Sequence, residues 1–127
     1  MVKTILVVDD YQDIILSIKS ILEDSSGEFQ VIGVDSGEKC LQILQENHLP
    51  DLILLDIMMP GLNGWDVAAR IKGNQKWNSV PIVFLTAVGD EMSAGIGHLA
   101  SEEYIVKPFD IIKLKECVRR ILTVTSP

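Results

Sequence analysis

The chain alternates short apolar runs with segments of helical periodicity, and this alternation limits its fold more than any other feature. Residues 4–8 (TILVV), 52–55 (LILL) and 82–85 (IVFL) are almost wholly apolar, as in strands buried on both faces of a sheet. Two weaker runs, residues 29–34 and 104–106, complete five predicted strands. Because strands and helices alternate and crossovers are right-handed, we predict a parallel sheet with helices on both faces. The run at 29–34 is the least uniformly apolar, so we place it at the sheet edge.

Five helices are predicted, one after each strand. A fourth helix at residues 90–99 is expected to be short or mobile because Gly95 and Gly97 disfavour helix. Ser36 is expected to cap the second helix. Apolar residues at helical spacing mark the others: Ile14, Ile15, Ile18, Ile21 and Leu22; Cys40, Leu41 and Leu44; Trp65, Ala68, Ala69 and Ile71; and Ile111, Leu114, Val118, Ile121 and Leu122. The 127 residues fit one domain, 1–127, with a core at about 3–123.

Composition and charge exclude several classes of protein. The apolar fraction is 47% and the net charge is −7, so the chain is expected to be globular, with no direct binding to nucleic acid. No apolar run is long enough to span a membrane, and no secretory signal is apparent at the start. Cys40 and Cys117 are best explained as small buried side chains and not as a disulfide or metal pair. We therefore expect a cytoplasmic protein.

Polar side chains follow four of the predicted strands at their carboxyl ends. Asp9 and Asp10 follow the first strand, Asp56 the third, Thr86 the fourth and Lys107 the fifth. In parallel α/β sheets, ligands bind outside these strand ends, where the strand order reverses. An Asp after a strand is also an ordinary helix cap, and this alternative stays open for Asp9 or Asp10 taken singly. Capping gives no reason for a hydroxyl and an ammonium group nearby, so the whole set predicts a functional site.

The three carboxylates indicate a divalent cation. Crowded carboxylates repel each other unless a cation compensates, and Mg²⁺ prefers oxygen ligands supplemented by water and phosphate. We expect Asp10, Asp56 and the backbone carbonyl of Met58 to hold Mg²⁺, with Asp9 contacting it through a bound water.

The added ammonium and hydroxyl groups point to phosphoryl transfer. A phosphoryl group in transfer carries negative charge on three equatorial oxygens, which positioned cations and donors stabilise. Mg²⁺, Lys107 and Thr86 would each take one of these oxygens. Asp56 is then expected to be the nucleophile and the phosphoacceptor.

The chain resembles the receiver domains of two-component response regulators over roughly residues 3–123. The matching segments are LVVDD at 6–10, PDLILLDIMMPGLNG at 50–64, VPIVFLTA at 80–87 and YIVKPF at 104–109. The resemblance implies a flavodoxin-like, doubly wound five-stranded sheet of order 2-1-3-4-5. It also implies Mg²⁺-dependent phosphorylation of Asp56 by a histidine kinase phosphohistidine or a small phosphodonor.

The resemblance further implies a switch. Thr86 is expected to move toward the phosphoryl group and Tyr104 to turn inward behind it, which changes the face of the fourth helix, fifth strand and fifth helix. Without the motif, Tyr104 reads as a half-buried aromatic residue on an edge strand. Apolar residues at positions 58 and 88 cannot orient a hydrolytic water, so we predict slow self-dephosphorylation.

The implied partners are a sensor histidine kinase or phosphotransfer protein, and an output domain or partner protein on the switch face. We expect a monomer, or a weak dimer that forms on phosphorylation, acting as a signalling switch and not as a turnover enzyme. The chain ends shortly after the last helix. It is therefore expected to be either a single-domain regulator or one domain of a longer protein, without an effector domain of its own.

Three rival functions compete with this one. A receiver-like binding domain that acts without phosphorylation is the main alternative, although every expected site residue is present. A flavodoxin-like cofactor binder would need a glycine- and hydroxyl-rich loop after the first strand. A phosphohydrolase with an aspartyl nucleophile would place that residue after the first strand, with a second acid two positions later, whereas Asp9 and Asp10 are adjacent.

Overall fold

A five-stranded parallel sheet with helices on both faces forms the protein. The computed structural model describes residues 2–87 and 103–125. The strands are Lys3–Val8 (β1), Phe29–Val34 (β2), Leu52–Asp56 (β3), Ile82–Ala87 (β4) and Glu103–Lys107 (β5). The helices are Gln12–Leu22 (α1), Gly37–Gln45 (α2), Gly64–Lys72 (α3) and Ile111–Thr125, called the last helix. The helix predicted at residues 90–99, and its expected mobility, lie outside the described residues.

The sheet has the order β2-β1-β3-β4-β5, and each neighbouring pair of strands is parallel. This confirms the flavodoxin-like order and the edge position of β2. The chain runs outward from β1 to β2 and then returns to place β3 on the other side of β1. The strand order therefore reverses between β1 and β3, and a ligand site is expected outside their carboxyl ends.

Two hydrophobic layers hold the helices against the sheet. Alternate residues of a strand point to opposite faces, so Ile5 and Val7 join one layer while Leu6 and Val8 join the other. The first layer packs under α1 and the last helix, and the second packs under α2 and α3. Each fully buried leucine or isoleucine stabilises the fold by about 1.5–3 kcal/mol relative to an exposed one. The two layers hold the strands in place, and with them the carboxyl ends at which the site lies.

Local capping determines where α2 and α3 begin. The Ser36 hydroxyl accepts a hydrogen bond from the Lys39 N–H at 3.1 Å, which confirms its predicted cap. At the start of α3, Asn63 Oδ1 accepts from the Asp66 N–H at 2.9 Å, and Asp66 Oδ2 accepts from the Asn63 N–H at 3.2 Å. This reciprocal pair satisfies two N–H groups at the helix start. It also fixes the end of the loop that leaves β3.

The last helix begins where predicted, but its inward face is narrower than the apolar pattern suggests. Leu114, Val118 and Leu122 are buried, whereas Ile111, the first residue of the helix, is 56% exposed. Ile111, in the first turn, is not part of the hydrophobic layer that packs between the sheet and this helix. Within the described residues, the helices are all too short or too polar to cross a membrane.

Candidate metal and phosphoacceptor site

Asp9 is the buried anchor of the site. It directly follows β1 and is completely inaccessible to solvent. Its Oδ1 atom accepts a hydrogen bond from the Tyr11 N–H at 2.9 Å, and its Oδ2 atom accepts one from Lys107 Nζ at 2.7 Å. A buried carboxylate needs such partners because desolvation without them is costly. Each oxygen of Asp9 therefore accepts a hydrogen bond, one from a residue near the start of the chain and one from a residue near its end.

Asp56 is the last residue of β3 and is also almost completely buried. Its Oδ1 atom lies 3.4 Å from Lys107 Nζ. The loop after Asp56 is anchored by two backbone hydrogen bonds: the Ile57 N–H donates to the Leu85 carbonyl at 3.1 Å, and the Gly64 N–H donates to the Ile57 carbonyl at 2.8 Å. The carboxylate thus stands on a rigid strand end and not on a free loop.

Asp9, Asp10 and Asp56 converge as the sequence predicted. Each offers one carboxylate oxygen, and these oxygens lie within 4.8 Å of one another. Asp9 and Asp56 are buried, whereas Asp10 is exposed. An all-oxygen set of carboxylates, one of them facing solvent, suits a hard divalent cation that keeps part of its water shell. The donor atoms present therefore fit Mg²⁺.

The electrostatic balance of the site also favours a cation. Burial and the negative charge of Asp9 raise the pKa of Asp56 to about 7, although Lys107 acts in the opposite direction. Burial tends to lower the pKa of Lys107, but its contacts with Asp9 and Asp56 outweigh burial and raise it. The single Lys107 ammonium group faces two buried carboxylates, Asp9 and Asp56, and Asp10 adds a third carboxylate nearby. The unneutralised negative charge is what a divalent cation would compensate.

Lys107 lies where the sequence placed it but has partners that the sequence did not indicate. We expected its ammonium group to contact a phosphoryl oxygen. In the structure it bridges Asp9 and Asp56 instead. The two roles are compatible, because a flexible ammonium that neutralises carboxylates can turn to a phosphoryl group added at the same place.

Thr86 and Tyr104 differ in their surroundings. Thr86 is completely buried at the end of β4, and its hydroxyl donates to the Ala87 carbonyl at 3.1 Å. Tyr104 lies on β5 opposite Phe84 and is 43% exposed, a position that is compatible with both the edge-strand and the switch interpretations. Their switch roles stay predictions.

A cavity of about 350 Å³ opens beside Asp56. Among the described residues, Lys107 and Asp56 supply part of its wall, and Met58, whose side chain is 61% exposed, supplies another part. Tyr11, Asp13, Ile14 and Ala87 complete the lining. Sequence reasoning missed these four residues, although Tyr11 directly follows Asp10 and Asp13 lies three positions after it. The first turn of α1, which begins at Gln12, brings Asp13 and Ile14 to the cavity.

Gly64 is a further residue that sequence reasoning left unassigned. A Cβ atom at this position would lie 2.4 Å from the Asp56 carbonyl oxygen and 2.7 Å from Ile57 Cα. Both are backbone atoms, so they cannot turn aside as a side chain would. The start of α3 therefore packs directly on the backbone that carries Asp56, and only glycine allows this approach.

The Gly64→Ala protein is expected to be about 2–3 kcal/mol less stable than the wild type because the added methyl group overpacks fixed backbone. Denaturant unfolding measures the change in unfolding free energy. Gly73→Ala is the matched control, since Gly73 has a helical φ of −82° and its nearest contact to an added Cβ is 3.3 Å. An equal, small effect for both variants would contradict the close approach at Gly64.

The comparisons with known proteins agree with this fold. The response regulator receiver domain family model matches residues 5–119. The chain is 39% identical over 127 residues to the probable transcriptional regulator ycf27 of Cyanophora paradoxa, covering 98% of this chain and 50% of that protein. The chain spans about half the length of the curated relatives it matches.

Solved structures show the same likeness. The N-terminal domain of a response regulator receiver protein from Methanoculleus marisnigri JR1 is 36% identical, with a TM-score of 0.69 over 96% of this chain and 98% of that one. The signal receiver domain of a signal transduction histidine kinase from Syntrophus aciditrophicus is 27% identical, with a TM-score of 0.84 over 95% and 90%. The chain belongs to the response regulator receiver domain family, the phosphoacceptor signalling switches of two-component systems.

Proposed function

We propose that Asp56 is the phosphoacceptor of this receiver domain and that its phosphorylation requires Mg²⁺. The observation that carries the proposal is the position of the buried Asp56 carboxylate. It lies within 4.8 Å of ligand oxygens from Asp9 and Asp10 and 3.4 Å from the Lys107 ammonium group. This is the arrangement of charge that a phosphoryl group in transfer needs around it.

Different residues of the chain have different roles in the phosphoryl transfer. Asp9, Asp10, Asp56 and the Met58 carbonyl would hold Mg²⁺, which when bound supplies positive charge for the phosphoryl oxygens. An oxygen of the ionised Asp56 carboxylate attacks phosphorus while the bond from phosphorus to the donor's leaving group breaks, and the leaving group takes the bonding electron pair. Lys107 then turns from the carboxylates to a phosphoryl oxygen.

The readout follows from the new charge. A phosphoryl group on Asp56 offers acceptor oxygens near the end of β4, so Thr86 can exchange its hydrogen bond to the Ala87 carbonyl for one to the phosphoryl group. Movement of Thr86 vacates space beside β5, and Tyr104 can turn inward from its half-exposed position. This change would bias the face that carries β5 and the last helix.

The wider role is part of the same proposal. The whole of 1–127 forms one receiver domain with its core at about 3–123, and it works in the cytoplasm as a switch and not as a turnover enzyme. A histidine kinase or phosphotransfer protein supplies the phosphoryl group, and an output domain or partner protein binds the switch face. Since curated relatives of about twice this length are named transcriptional regulators, an output domain on a longer chain fits the proposal. The alternative, binding without phosphorylation, has no residue in the site that favours it.

The test is incubation of the protein with acetyl phosphate and Mg²⁺, followed by mass spectrometry of the intact chain and of its peptides. We expect one phosphoryl group, mapped to Asp56 and lost when EDTA replaces Mg²⁺. A parallel incubation with beryllofluoride should give a Mg²⁺-dependent complex at the same residue. No adduct, or an adduct on another residue, would contradict the proposal.

The phosphoryl adduct is expected to be long-lived, because Met58 presents an apolar, half-exposed side chain to the cavity beside Asp56. Met58→Asn adds an amide that can position water, so loss of the adduct should quicken by about three- to tenfold, less than a general base would give. Met58→Leu keeps an apolar side chain of similar volume and is the control. Decay is followed by mass spectrometry after removal of the donor, and equal decay of all three proteins would contradict the prediction. Val88, the other residue expected to exclude water, lies outside the described residues.

A further inference from the structure

The rim of the Asp56 cavity differs from its floor in chemistry. The floor carries Asp56 and Lys107, which face the reacting phosphoryl group. The remaining described lining is mainly apolar, with Tyr11 as its one aromatic ring and Asp13 as its one further charge. The cavity of about 350 Å³ corresponds to roughly a dozen water molecules, which is more space than a phosphoryl group fills. The remaining space can hold the leaving group of the phosphodonor.

Tyr11 is fixed through its backbone while its ring stays accessible. Its N–H donates to Asp9 Oδ1 at 2.9 Å, and its carbonyl accepts from the N–H groups of Ile14 and Ile15 at 3.1 and 3.4 Å. Its side chain is 68% exposed and makes no capping hydrogen bond to α1. An aromatic ring at the mouth of a reaction cavity offers a stacking surface, and the fixed backbone that carries it lowers the ordering needed when a ligand arrives.

Asp13 adds a charge preference at the same place. It lies in the first turn of α1 and lines the cavity together with Tyr11. Its carboxylate disfavours an anionic leaving group and favours one that is neutral or protonated. An aromatic ring and an acid at one rim together suit an imidazole and not a carboxylate such as acetate.

We propose that Tyr11, assisted by Asp13, determines phosphodonor specificity by stacking on the leaving group, so that donors with an imidazole leaving group are preferred. This inference rests on the proposed function, since it concerns the donor for Asp56. In the step, an Asp56 carboxylate oxygen forms a bond to phosphorus and the phosphorus–nitrogen bond breaks. The electron pair of the broken bond stays on that nitrogen. Because the donor is protonated on its second ring nitrogen, the leaving group is neutral imidazole. Tyr11 contacts the ring through this step without exchanging atoms.

The test compares two small donors that differ in leaving group, N-phosphoimidazole and acetyl phosphate, both with Mg²⁺. The second-order rate constant of adduct formation is measured by mass spectrometry for each donor, and their ratio is the readout. In Tyr11→Ala the ratio should fall by about two- to tenfold, the factor that one aromatic stacking contact provides. Tyr11→Phe should keep the wild-type ratio, and Asp13→Asn should lower it in the same direction. Leu16→Ala is the control, since Leu16 is 59% exposed on α1 but does not line the cavity.

The ratio separates a specificity role from a structural one. A variant that merely distorts the Asp9 anchor slows both donors equally and leaves the ratio unchanged, which would overturn the proposal for Tyr11. A ratio that falls in Leu16→Ala as much as in Tyr11→Ala would overturn it too. If the wild type forms an adduct with both donors at a ratio insensitive to Tyr11, the proposed function stands and this inference fails. If it forms no adduct with either, both fail.

Discussion

Asp56→Asn is expected to abolish the Mg²⁺-dependent phosphoryl adduct while making the metal-free protein more stable at neutral pH. The amide cannot act as the nucleophile, so no bond to phosphorus forms at this position. It also contributes no negative charge to the cluster with Asp9 and Asp10. Mass spectrometry after incubation with acetyl phosphate measures the first effect. An adduct of wild-type yield on the variant would contradict the assignment of Asp56.

The gain in stability follows from the direction of the pKa shift. Burial and the charge of Asp9 raise the pKa of folded Asp56 to about 7, from the ordinary value of 3.8. Between roughly pH 4 and pH 7 the folded state then holds a proton that the unfolded state has lost, so wild-type stability falls as pH rises through this window. A shift of about three pKa units corresponds to at most about 4 kcal/mol.

Replacement by Asn removes this pH-dependent penalty but also removes the contact with Lys107. We therefore expect Asp56→Asn to be more stable than the wild type by about 2 kcal/mol at pH 8 in EDTA, with the difference vanishing near pH 4. Denaturant unfolding across this pH range measures it. Asp35→Asn is the matched control: Asp35 forms an exposed ion pair with Lys39 at 2.8 Å, so its effect should stay within about 0.5 kcal/mol. A variant less stable than the wild type at pH 8 would contradict the pKa argument.

The strands and the convergence of charged residues could be predicted because both depend on short-range sequence pattern. Apolar runs at 4–8, 52–55 and 82–85 lie within β1, β3 and β4, since burial on both faces requires continuous apolar sequence. Each parallel strand ends at the same edge of the sheet. Asp9, Asp56 and Lys107 therefore meet there whatever the details of the loops.

Features that depend on close approach between distant segments were not predictable. The ion pair between Lys107 and Asp9 joins residues 98 positions apart, and the two strands that carry them are not neighbours in the sheet. The length of the lysine side chain, and not strand pairing, brings the charges together. Gly64 likewise becomes meaningful only once α3 lies against the backbone of Asp56. Sequence pattern reports which face a residue occupies, but not which atoms it touches.

The orientation of polar side chains was the third unpredictable feature. Thr86 stands at the predicted strand end, yet its hydroxyl is bonded to the Ala87 carbonyl. Buried hydroxyl groups almost always have a hydrogen-bond partner, and here the backbone carbonyl of the next residue provides it. The sequence therefore identifies Thr86 as a candidate donor without indicating the partner that it has in the unphosphorylated protein.

Lys107→Met is expected to lower the unfolding free energy of the metal-free protein by about 3 kcal/mol at pH 8 and to reduce phosphorylation strongly. Methionine keeps most of the apolar stem but removes the ammonium group that neutralises two buried carboxylates, Asp9 and Asp56. Removal of one partner from a buried ion pair is costly because the other charge is left uncompensated. The pKa of Lys107 is raised in the folded protein. Its stabilising contribution is therefore fully present at neutral pH and is lost only at a pH above its ordinary value.

Two further measurements identify the cause of this loss. Lowering the pH toward 5 should shrink the difference from the wild type, since Asp56 takes up a proton in that range and one uncompensated charge disappears. Adding Mg²⁺ at pH 8 should restore more stability to Lys107→Met than to the wild type, because a cation that binds only the folded state stabilises it by mass action and the variant offers it more unneutralised charge. Lys113→Met, an exposed substitution on the last helix, is the control. Its unfolding free energy should match that of the wild type at each pH, and so should its stabilisation by Mg²⁺. A Lys107→Met protein as stable as the wild type in EDTA at pH 8 would show that the ammonium group does not hold the carboxylates together, and the Mg²⁺ titration would then lose its rationale.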